Sequence, residues 1–305
     1  MGVSVDDIKK LRELTGVGLT DAKKALVESD GDFDKALEEM RKKGLTKAEK
    51  KGDRETREGV IDAYVHSGRI GVVVEVNCET DFVGQNENFI EFCATTTAHI
   101  HTSGIKNVDE LLASTINGNA FSDHLSVTIS KIGENIVVRR FAEVSVGENG
   151  SVSAYKHANG KIGVIVAAEC DSAKTAEAVT GVLKDIAMHA AAMNPNYLDE
   201  TEVPQEDLDR EAEVAKAQLE KEGKPAAMWD KIIPGKLVKF KKDNCLVDQP
   251  FVKDDKKTVK EALEAAAKTV GGTAKLTSFA RFEVGEGLEK KACDFASEVA
   301  AQLGK

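Results

Sequence analysis

The sequence lacks the features that mark secreted, zinc-binding and membrane-spanning proteins. Its five cysteines are odd in number, lie far apart and include no CxxC pair, which is unfavourable for a disulfide framework and for a zinc site. No apolar run approaches the length of a membrane span, and the first residues lack the apolar core of a signal peptide. We therefore expect a cytoplasmic protein that makes no contact with membranes.

Basic residues are in deficit, with 42 lysines and arginines against 52 aspartates and glutamates and a formal net charge of −10. A dedicated nucleic-acid-binding protein presents a basic surface to the phosphates of its ligand. Direct binding of nucleic acid is therefore not expected.

The motifs of common catalytic sites are missing as well. The sequence contains no GxxxxGK(S/T) phosphate loop, no GxSxG nucleophile elbow and no HExxH zinc motif. His99 and His101 could bind a metal, but on a helix the two side chains point apart and no third ligand is near in sequence. These absences favour a protein that acts by binding, without a cofactor, a metal or chemistry of its own. An enzyme that uses the six histidines is the alternative, and stoichiometric metal in the purified protein would favour it.

What is present indicates a globular α+β protein of two or more domains, since the chain has 305 residues and is 41% hydrophobic. Residues 1–45 show apolar residues at helical spacing in three short runs, which predicts a three-helix bundle that resembles a ubiquitin-associated domain. The third helix is expected to end at the basic residues before Gly44. Residues 46–58 are charged and predict either a linker or a solvated helix.

The middle of the chain repeats itself. "GRIGVVVEVNCET" (68–80) recurs as "GKIGVIVAAECDS" (160–172), and each copy leads toward a helical stretch, near 89–101 and over 173–193. With further strands predicted at 136–146, 151–157 and 279–287, the repeat indicates a duplicated α+β core of antiparallel sheets with helices on one side. The two halves are expected at 59–147 and 148–287.

Two further helical modules are predicted. Residues 200–234 hold two charged helical stretches and predict a helical hairpin inserted in the second half, in which Pro234 should end the second helix early or redirect its exit. Trp229 is expected to pack at the base of this hairpin. Residues 288–305 predict a C-terminal helix with one apolar face.

The stretch "NCETDFV" (77–83) places an acid and a phenylalanine at the polar end of a strand. Phe82 either covers the end of its own sheet or is exposed for contact with a partner, and the residues alone leave both interpretations open. His157, before the second glycine turn, either stabilises that turn or contacts a partner. His189 lies on an apolar helix face, which favours a core histidine over a catalytic one.

Several blocks together resemble the bacterial elongation factor Ts family: "TGVGLTDAKKAL", "NCETDFV", "KIGENIVVRRF", "HANGKIGVIVAAE", "IAMHAAA", "QPFV" and "RFEVGEG". They occur in the family's order and span nearly the whole chain. The resemblance implies a guanine-nucleotide exchange factor that binds elongation factor Tu in its GDP-bound form. It also implies the predicted order of domains.

The resemblance further implies that Thr80, Asp81, Phe82 and Val83 disturb the Mg²⁺ site of the partner. It adds five residues as candidate partner contacts, which are Leu14, Gly18, Leu19, His157 and His189. A ubiquitin-binding adaptor is an alternative based on the N-terminal bundle alone, but it leaves the duplicated core unexplained.

Overall fold

The computed structural model describes residues 3–15 and 17–288, with all side chains except those of Glu13, Leu45, Thr46, Lys47 and Glu49. The N-terminal part consists of three helices, α1 (Val5–Thr15), α2 (Leu19–Glu28) and α3 (Phe33–Glu49). Their small core is formed by Leu11, Ala22, Ala25, Leu26, Ala36 and Met40. Of the α1 positions spaced every three residues, Leu11 is buried whereas Val5 and Leu14 are exposed. Such spacing drifts around a helix of 3.6 residues per turn, so the inward face is narrower than predicted.

The first half of the core is a three-stranded antiparallel sheet of order β1-β2-β5 with helices on one face. Its elements are β1 (Glu58–His66), β2 (Ile70–Cys78), α4 (Asp81–Gly84), α5 (Glu87–Ser103), α6 (Val108–Ala113), β3 (Thr115–Ile116), β4 (Asn119–Ala120), α7 (Phe121–Ile132) and β5 (Ile136–Ser145). The apolar core lies between this sheet and helices α5 and α7, and Phe89, Phe92 and Phe121 are its largest side chains.

The second half has the same arrangement, with strand order β6-β7-β10. Its elements are β6 (Gly150–Lys156), β7 (Ile162–Cys170), α8 (Ala173–Met193), α9 (Gln205–Lys221), α10 (Trp229–Asn244), β8 (Pro250–Phe251), β9 (Asp254–Thr258), α11 (Val259–Lys268) and β10 (Ala274–Glu283). Helices α8 and α11 cover one face of the sheet. The α+β class is as predicted, α8 has the predicted bounds, and the two sequence repeats form the central strands β2 and β7.

The uncovered faces of the two sheets pack against each other through a small apolar layer around Ile61, Val73 and Ile165. A glycine of each repeat lies where the sheets approach most closely. A Cβ atom on Gly71 would lie 2.8 Å from Cγ1 of Val152, and one on Gly163 would lie 2.4 Å from Cγ2 of Ile61. Both distances are shorter than a carbon–carbon contact allows. Only glycine therefore permits this spacing of the sheets.

Backbone hydrogen bonds also join the two halves, in matching pairs. The N–H of Ile61 donates to the carbonyl of Gly160 (2.8 Å), and the N–H of Val152 donates to the carbonyl of Gly68 (2.7 Å). Within each half a further backbone hydrogen bond holds the same turn: the N–H of Val284 donates to the carbonyl of Lys161 (2.9 Å) in the second half, and the N–H of Val146 donates to that of Arg69 (3.0 Å) in the first. Each half thus presents the turn between its first two strands to the other half.

A buried carboxylate links the first sheet to the far end of the chain. Glu75 is fully buried and accepts hydrogen bonds from Arg139 (3.0 Å), from Arg140 (2.6 Å) and from the N–H of Gly285 (2.8 Å), which follows β10. Burial alone would raise the pKa of Glu75, but the bonds from Gly285, Arg140, Arg139 and Asn77 outweigh it and lower the pKa. The residue is therefore a charged tie between the two halves.

Helix α3 does not end before Gly44, as the sequence predicts, but continues to Glu49. At Gly44, α3 lies close to α7, and the hydroxyl of Ser130 donates to the Gly44 carbonyl (3.2 Å). Ala48, near the end of α3, is buried in the core of the first half. Tertiary packing therefore overrides the glycine stop signal, and part of the expected linker is a packed helix.

The inserted hairpin is formed by α9 and α10, and the prediction that Pro234 ends the second helix early is wrong. Helix α10 passes through Pro234 and ends at Asn244. None of its residues is buried, so the backbone can adjust around the proline without loss of core contacts. Trp229 lies at the turn of the hairpin, not at its base, and its indole N–H donates to the carbonyl of Lys224 (3.0 Å).

The predicted C-terminal helix, apart from Leu288, lies outside the described residues. Among the helices that the structure does describe, none combines the length and apolarity needed to cross a bilayer.

Candidate functional site

The most exposed large apolar side chain of the described residues lies directly after β2. Residues Thr80–Val83, here called the strand-end segment, lead from β2 into the single helical turn α4. Phe82 is 80% exposed, whereas the next residue, Val83, is only 8% exposed and belongs to the core of the first half. One helical turn thus fixes the backbone through Val83 and presents the Phe82 ring to solvent, beside the exposed Asp81.

Two glycines lie where α4 meets the sheet. Gly59 of β1 has φ +145° and passes so near β2 that a Cβ atom would lie 2.1 Å from the carbonyl oxygen of Val76. A Cβ atom on Gly84 would in turn lie 3.4 Å from the carbonyl oxygen of Gly59. The helical turn therefore lies against the backbone of β1.

The loop between α7 and β5 holds the strand-end segment from the other side. The carboxylate of Glu134 accepts hydrogen bonds from the N–H of Glu79 (3.1 Å), the N–H of Thr80 (2.9 Å) and the hydroxyl of Thr80 (2.6 Å). Sequence reasoning missed Glu134. Its position just before β5 identifies it only once β5 is known to be the neighbour of β2, since an antiparallel neighbour of β2 starts where β2 ends.

The neighbouring thiol does not act as a nucleophile. Cys78 is fully buried and its Sγ donates to the carbonyl of Thr80 (3.1 Å). Burial, with the nearby Glu134 carboxylate as a smaller cause, raises the pKa of Cys78 to about 12. The thiol therefore stays protonated near neutral pH.

The candidate contacts in the N-terminal bundle are exposed. Leu14 is 51% and Leu19 is 52% exposed, and Gly18 precedes the first turn of α2. Leu14 faces a cleft lined by Asn88 and Glu91 of α5 and by residues of α7. Leu14 and α5 thus border one open surface, and α5 follows the strand-end segment directly.

His157 lies exposed at the turn between β6 and β7. Its backbone closes that turn, because its N–H donates to Ile162 (2.9 Å) and its carbonyl accepts from Gly160 (2.8 Å). Its Nδ1 lies 2.9 Å from the hydroxyl of Tyr155. The turn contacts are present, and the exposed ring stays a candidate for contact with a partner.

His189 is a core residue, which corrects its assignment as a partner contact. The ring is fully buried; its Nδ1 accepts from the N–H of Val252 (3.2 Å) and its Nε2 lies 2.8 Å from Oε1 of Gln249. Because Nδ1 accepts, the proton is on Nε2 and donates to Gln249. Burial lowers the pKa of His189. The ring is therefore neutral and holds the segment around β8 against α8.

His99 and His101 point apart, as predicted for a helix. His99 contacts Ser114 (2.8 Å) and Ser103 (3.1 Å), whereas His101 lies against His66 with 4.5 Å between ring centroids. Within residues 3–15 and 17–288, no group of three or more His, Cys, Asp or Glu side chains could hold a metal ion.

Comparison with known proteins gives the family. The family model described as "Elongation factor TS" matches residues 79–286, which include the strand-end segment. Elongation factor Ts of a Nitratiruptor species is 52% identical over 304 residues, covering 99% of this chain and 100% of that protein. Elongation factor Ts of Nautilia profundicola is 53% identical over 298 residues, covering 97% of each chain, and that of Clostridium novyi is 44% identical over 307 residues, covering 99% of each. The chain therefore belongs to the elongation factor Ts family.

Proposed function

We propose that this chain is a guanine-nucleotide exchange factor that binds elongation factor Tu with GDP and promotes GDP release during translation elongation. Membership of the elongation factor Ts family supports this function. The observation that carries the mechanism is the exposure of Phe82, at 80%, on a helical turn whose other side is buried. A rigid aromatic side chain offers a large contact area with few torsions to immobilise on binding.

The strand-end segment would act on the Mg²⁺ site of the partner. A GTPase holds Mg²⁺ in near-octahedral geometry against the phosphates, and small shifts of the surrounding elements spoil that geometry. Phe82 would enter between elements of the GTPase, and Asp81 would contact the edge of the same surface. Thr80 and Val83 would hold these two residues in place, because Thr80 is bonded to Glu134 and Val83 is buried.

Exchange then follows from linkage, without covalent chemistry by this chain. If the factor binds best to the GTPase with a disturbed nucleotide site, factor and nucleotide each weaken the other's binding by the same factor. GDP leaves faster from the complex, and GTP then releases the factor. Leu14, Gly18, Leu19 and His157 would supply further contacts to the partner. The protein would work in the cytoplasm and needs neither nucleic acid nor a membrane for this step.

The domain organisation proposed for this function has two parts. The three N-terminal helices form a ubiquitin-associated-like module that adds affinity for the partner. The core arose by duplication, which is supported by the shared strand order of the two sheets and by the matched contacts of Gly71 with Val152 and of Gly163 with Ile61.

The test is release of fluorescently labelled GDP from purified elongation factor Tu, with and without this chain. We expect release to accelerate with factor concentration and then saturate, with no GTP turnover by the chain alone. Unchanged GDP release at a factor concentration that forms the complex would refute the proposal.

A further inference from the structure

The loop 133–135 between α7 and β5 is hydrogen-bonded to the strand-end segment at the point where that segment leaves the sheet. We propose that Glu134 is a positioning residue for nucleotide exchange, which acts by fixing the backbone at Thr80 and thereby the direction of the Phe82 ring. This inference rests on the proposed function, and it assigns a role to a residue that does not itself need to touch the partner.

The register of the sheet brings the two segments together. Strands β2 and β5 are antiparallel, and the last pair of their ladder is Cys78 with Ile136. Beyond this pair the backbones no longer bond to each other, and the Glu134 side chain takes over. Its three hydrogen bonds, from Glu79 N–H, Thr80 N–H and Thr80 Oγ1, lie between 2.6 and 3.1 Å. A carboxylate is suited to this position, because it accepts hydrogen bonds from several donors and its hydrogen bonds are stronger than those of a neutral acceptor.

The loop is itself held from two sides. The Asn135 N–H donates to the carboxylate of Glu79 (2.6 Å), so Glu79 and Glu134 bond to each other's segments reciprocally. The Asn135 side-chain amide donates to the carbonyls of Arg54 (2.9 Å) and Gly52 (3.3 Å), in the connection that follows α3. Asn135 is only 3% exposed. Glu134 therefore bonds to Thr80 from a fixed position.

A comparison of the two sequence repeats shows that this use of Thr80 is specific to the first half. Thr80 and Ser172 are equivalent positions, and each precedes a helix. Ser172 caps α8 in the ordinary way, since its hydroxyl accepts from the N–H of Thr175 (3.2 Å). Thr80 makes no such cap to α4, and its hydroxyl donates to Glu134 instead. The Ser172 hydroxyl thus stabilises the start of a helix in the second half, whereas the equivalent Thr80 hydroxyl holds the strand-end segment to the loop 133–135 in the first.

Phe82 depends on this arrangement because its own side chain has little packing. At 80% exposure the ring has little support from neighbouring side chains, so its position follows from the backbone of the two residues before it. Burial of Val83 fixes one point of α4, and the bonds at Thr80 fix a second. With the second released, the turn can rotate about Val83 and carry the ring away from its bound direction.

The test uses the full-length chain with Glu134→Gln, which keeps the size of the side chain but removes its charge and replaces one acceptor oxygen by an amide nitrogen that cannot accept. We expect the maximal rate of GDP release, at saturating factor, to fall by about tenfold or more, since displacement of a functional group by 1 Å costs up to about a hundredfold. The factor concentration at half-maximal rate should change less. Glu148→Gln, in an exposed turn, is the matched control and should leave both quantities unchanged.

A double-mutant comparison separates positioning from general damage. If Glu134 acts through Phe82, Glu134→Gln should have no further effect on the maximal rate in a Phe82→Ala background. An equal loss in both backgrounds would overturn the proposal. Thr80→Val, which removes only the 2.6 Å bond from the hydroxyl, should lower the rate in the same direction by a smaller factor. It tests the same idea if Glu134→Gln folds poorly.

Amide hydrogen exchange of the free chain gives a readout that does not depend on the proposed function. Glu134→Gln should speed exchange at the Thr80 N–H and across α4, while the centre of β2 stays protected. Unchanged protection at Thr80 together with an unchanged maximal rate would refute the inference. If the amides respond but the wild-type chain fails to release GDP, the proposed function fails and the positioning of the segment by Glu134 stands.

Discussion

Replacement of Phe82 by alanine separates the two interpretations of this side chain. If the ring serves contact with a partner, the substitution should leave the fold intact and lower GDP release. If the ring belonged to the core, the substitution would leave a cavity and destabilise the protein. Because the Phe82 side chain is 80% exposed, the substitution removes little buried area in the free chain.

The expected loss of stability is small. A phenylalanine buries about 150–250 Å² when fully covered, and about a fifth of that area is covered at Phe82. At about 25 cal/mol per Å² this corresponds to roughly 1 kcal/mol, or a fall in Tm of about 2–4 °C. Phe89→Ala, in the core directly after this segment, should cost about 3–5 kcal/mol. For a buried aromatic contact in the complex, loss of about 2 kcal/mol would lower exchange efficiency about thirtyfold.

Two assays distinguish a partner-contact role of Phe82 from a core role: thermal unfolding of the free chain and release of labelled GDP from elongation factor Tu. Ile90→Ala, at 45% exposure on the neighbouring α5, is the control for removal of an exposed apolar side chain. A fall in Tm close to that of Phe89→Ala would refute the reasoning from exposure. Normal Tm with normal exchange would refute the role of the ring in the partner complex.

Glu75→Gln should destabilise the chain by about 1.5–3 kcal/mol at neutral pH, the contribution of hydrogen bonds to a charged group, because the buried carboxylate binds two arginines. Since the pKa of Glu75 is lowered in the folded state, its contribution is present above the ordinary value near 4.5 and is lost as the pH falls through the folded pKa. Urea unfolding of variant and wild type should therefore converge in acid; a constant gap would contradict this. Gly163→Ala should lower the free energy of unfolding by about 1–3 kcal/mol, because the added methyl group overlaps with Ile61. The control Gly181→Ala has open space around it and should not destabilise α8. Equal Tm values for the two variants would argue against close packing of the sheets. Leu14→Ala should weaken binding to the partner by about 1 kcal/mol or more without a change in Tm. An unchanged affinity in titration calorimetry would exclude Leu14 from the interface.

The strands and helices with strong local patterns were predictable from the sequence, and the relations between them were not. The repeats at 68–80 and 160–172 identify β2 and β7 because each is an apolar run between a glycine turn and polar residues. Nothing local distinguishes Gly44, inside α3, from a glycine that ends a helix, because the contact that keeps the helix going is with Ser130 in α7. Helices α7 and α11 were not predicted from the sequence.

In the candidate site, too, the local motif was predictable from the sequence and its distant contacts were not. The motif at Thr80–Val83 stands out in the sequence because an aromatic residue beside an acid is unusual at the polar end of a strand. Glu134 is 54 residues away and lies beside Thr80 only because β5 is the neighbour of β2 in the sheet. A strand prediction does not give strand order, so the partner of Thr80 could not be chosen among many glutamates. The burial of His189 likewise depends on the distant Gln249 and Val252.

The tie between Glu75 and Gly285 has a consequence for the order in which the protein is made. The two residues are 210 positions apart, so the ribosome releases the first sheet long before it releases the backbone group that completes the hydrogen bonding of its buried carboxylate. Strand β10, which closes the second sheet, emerges just before that group. Domains of a nascent chain usually fold in the order of their synthesis. Here the N-terminal half reaches its final state only after the last strand of the C-terminal half has left the ribosome, which couples the maturation of both halves to completion of the chain.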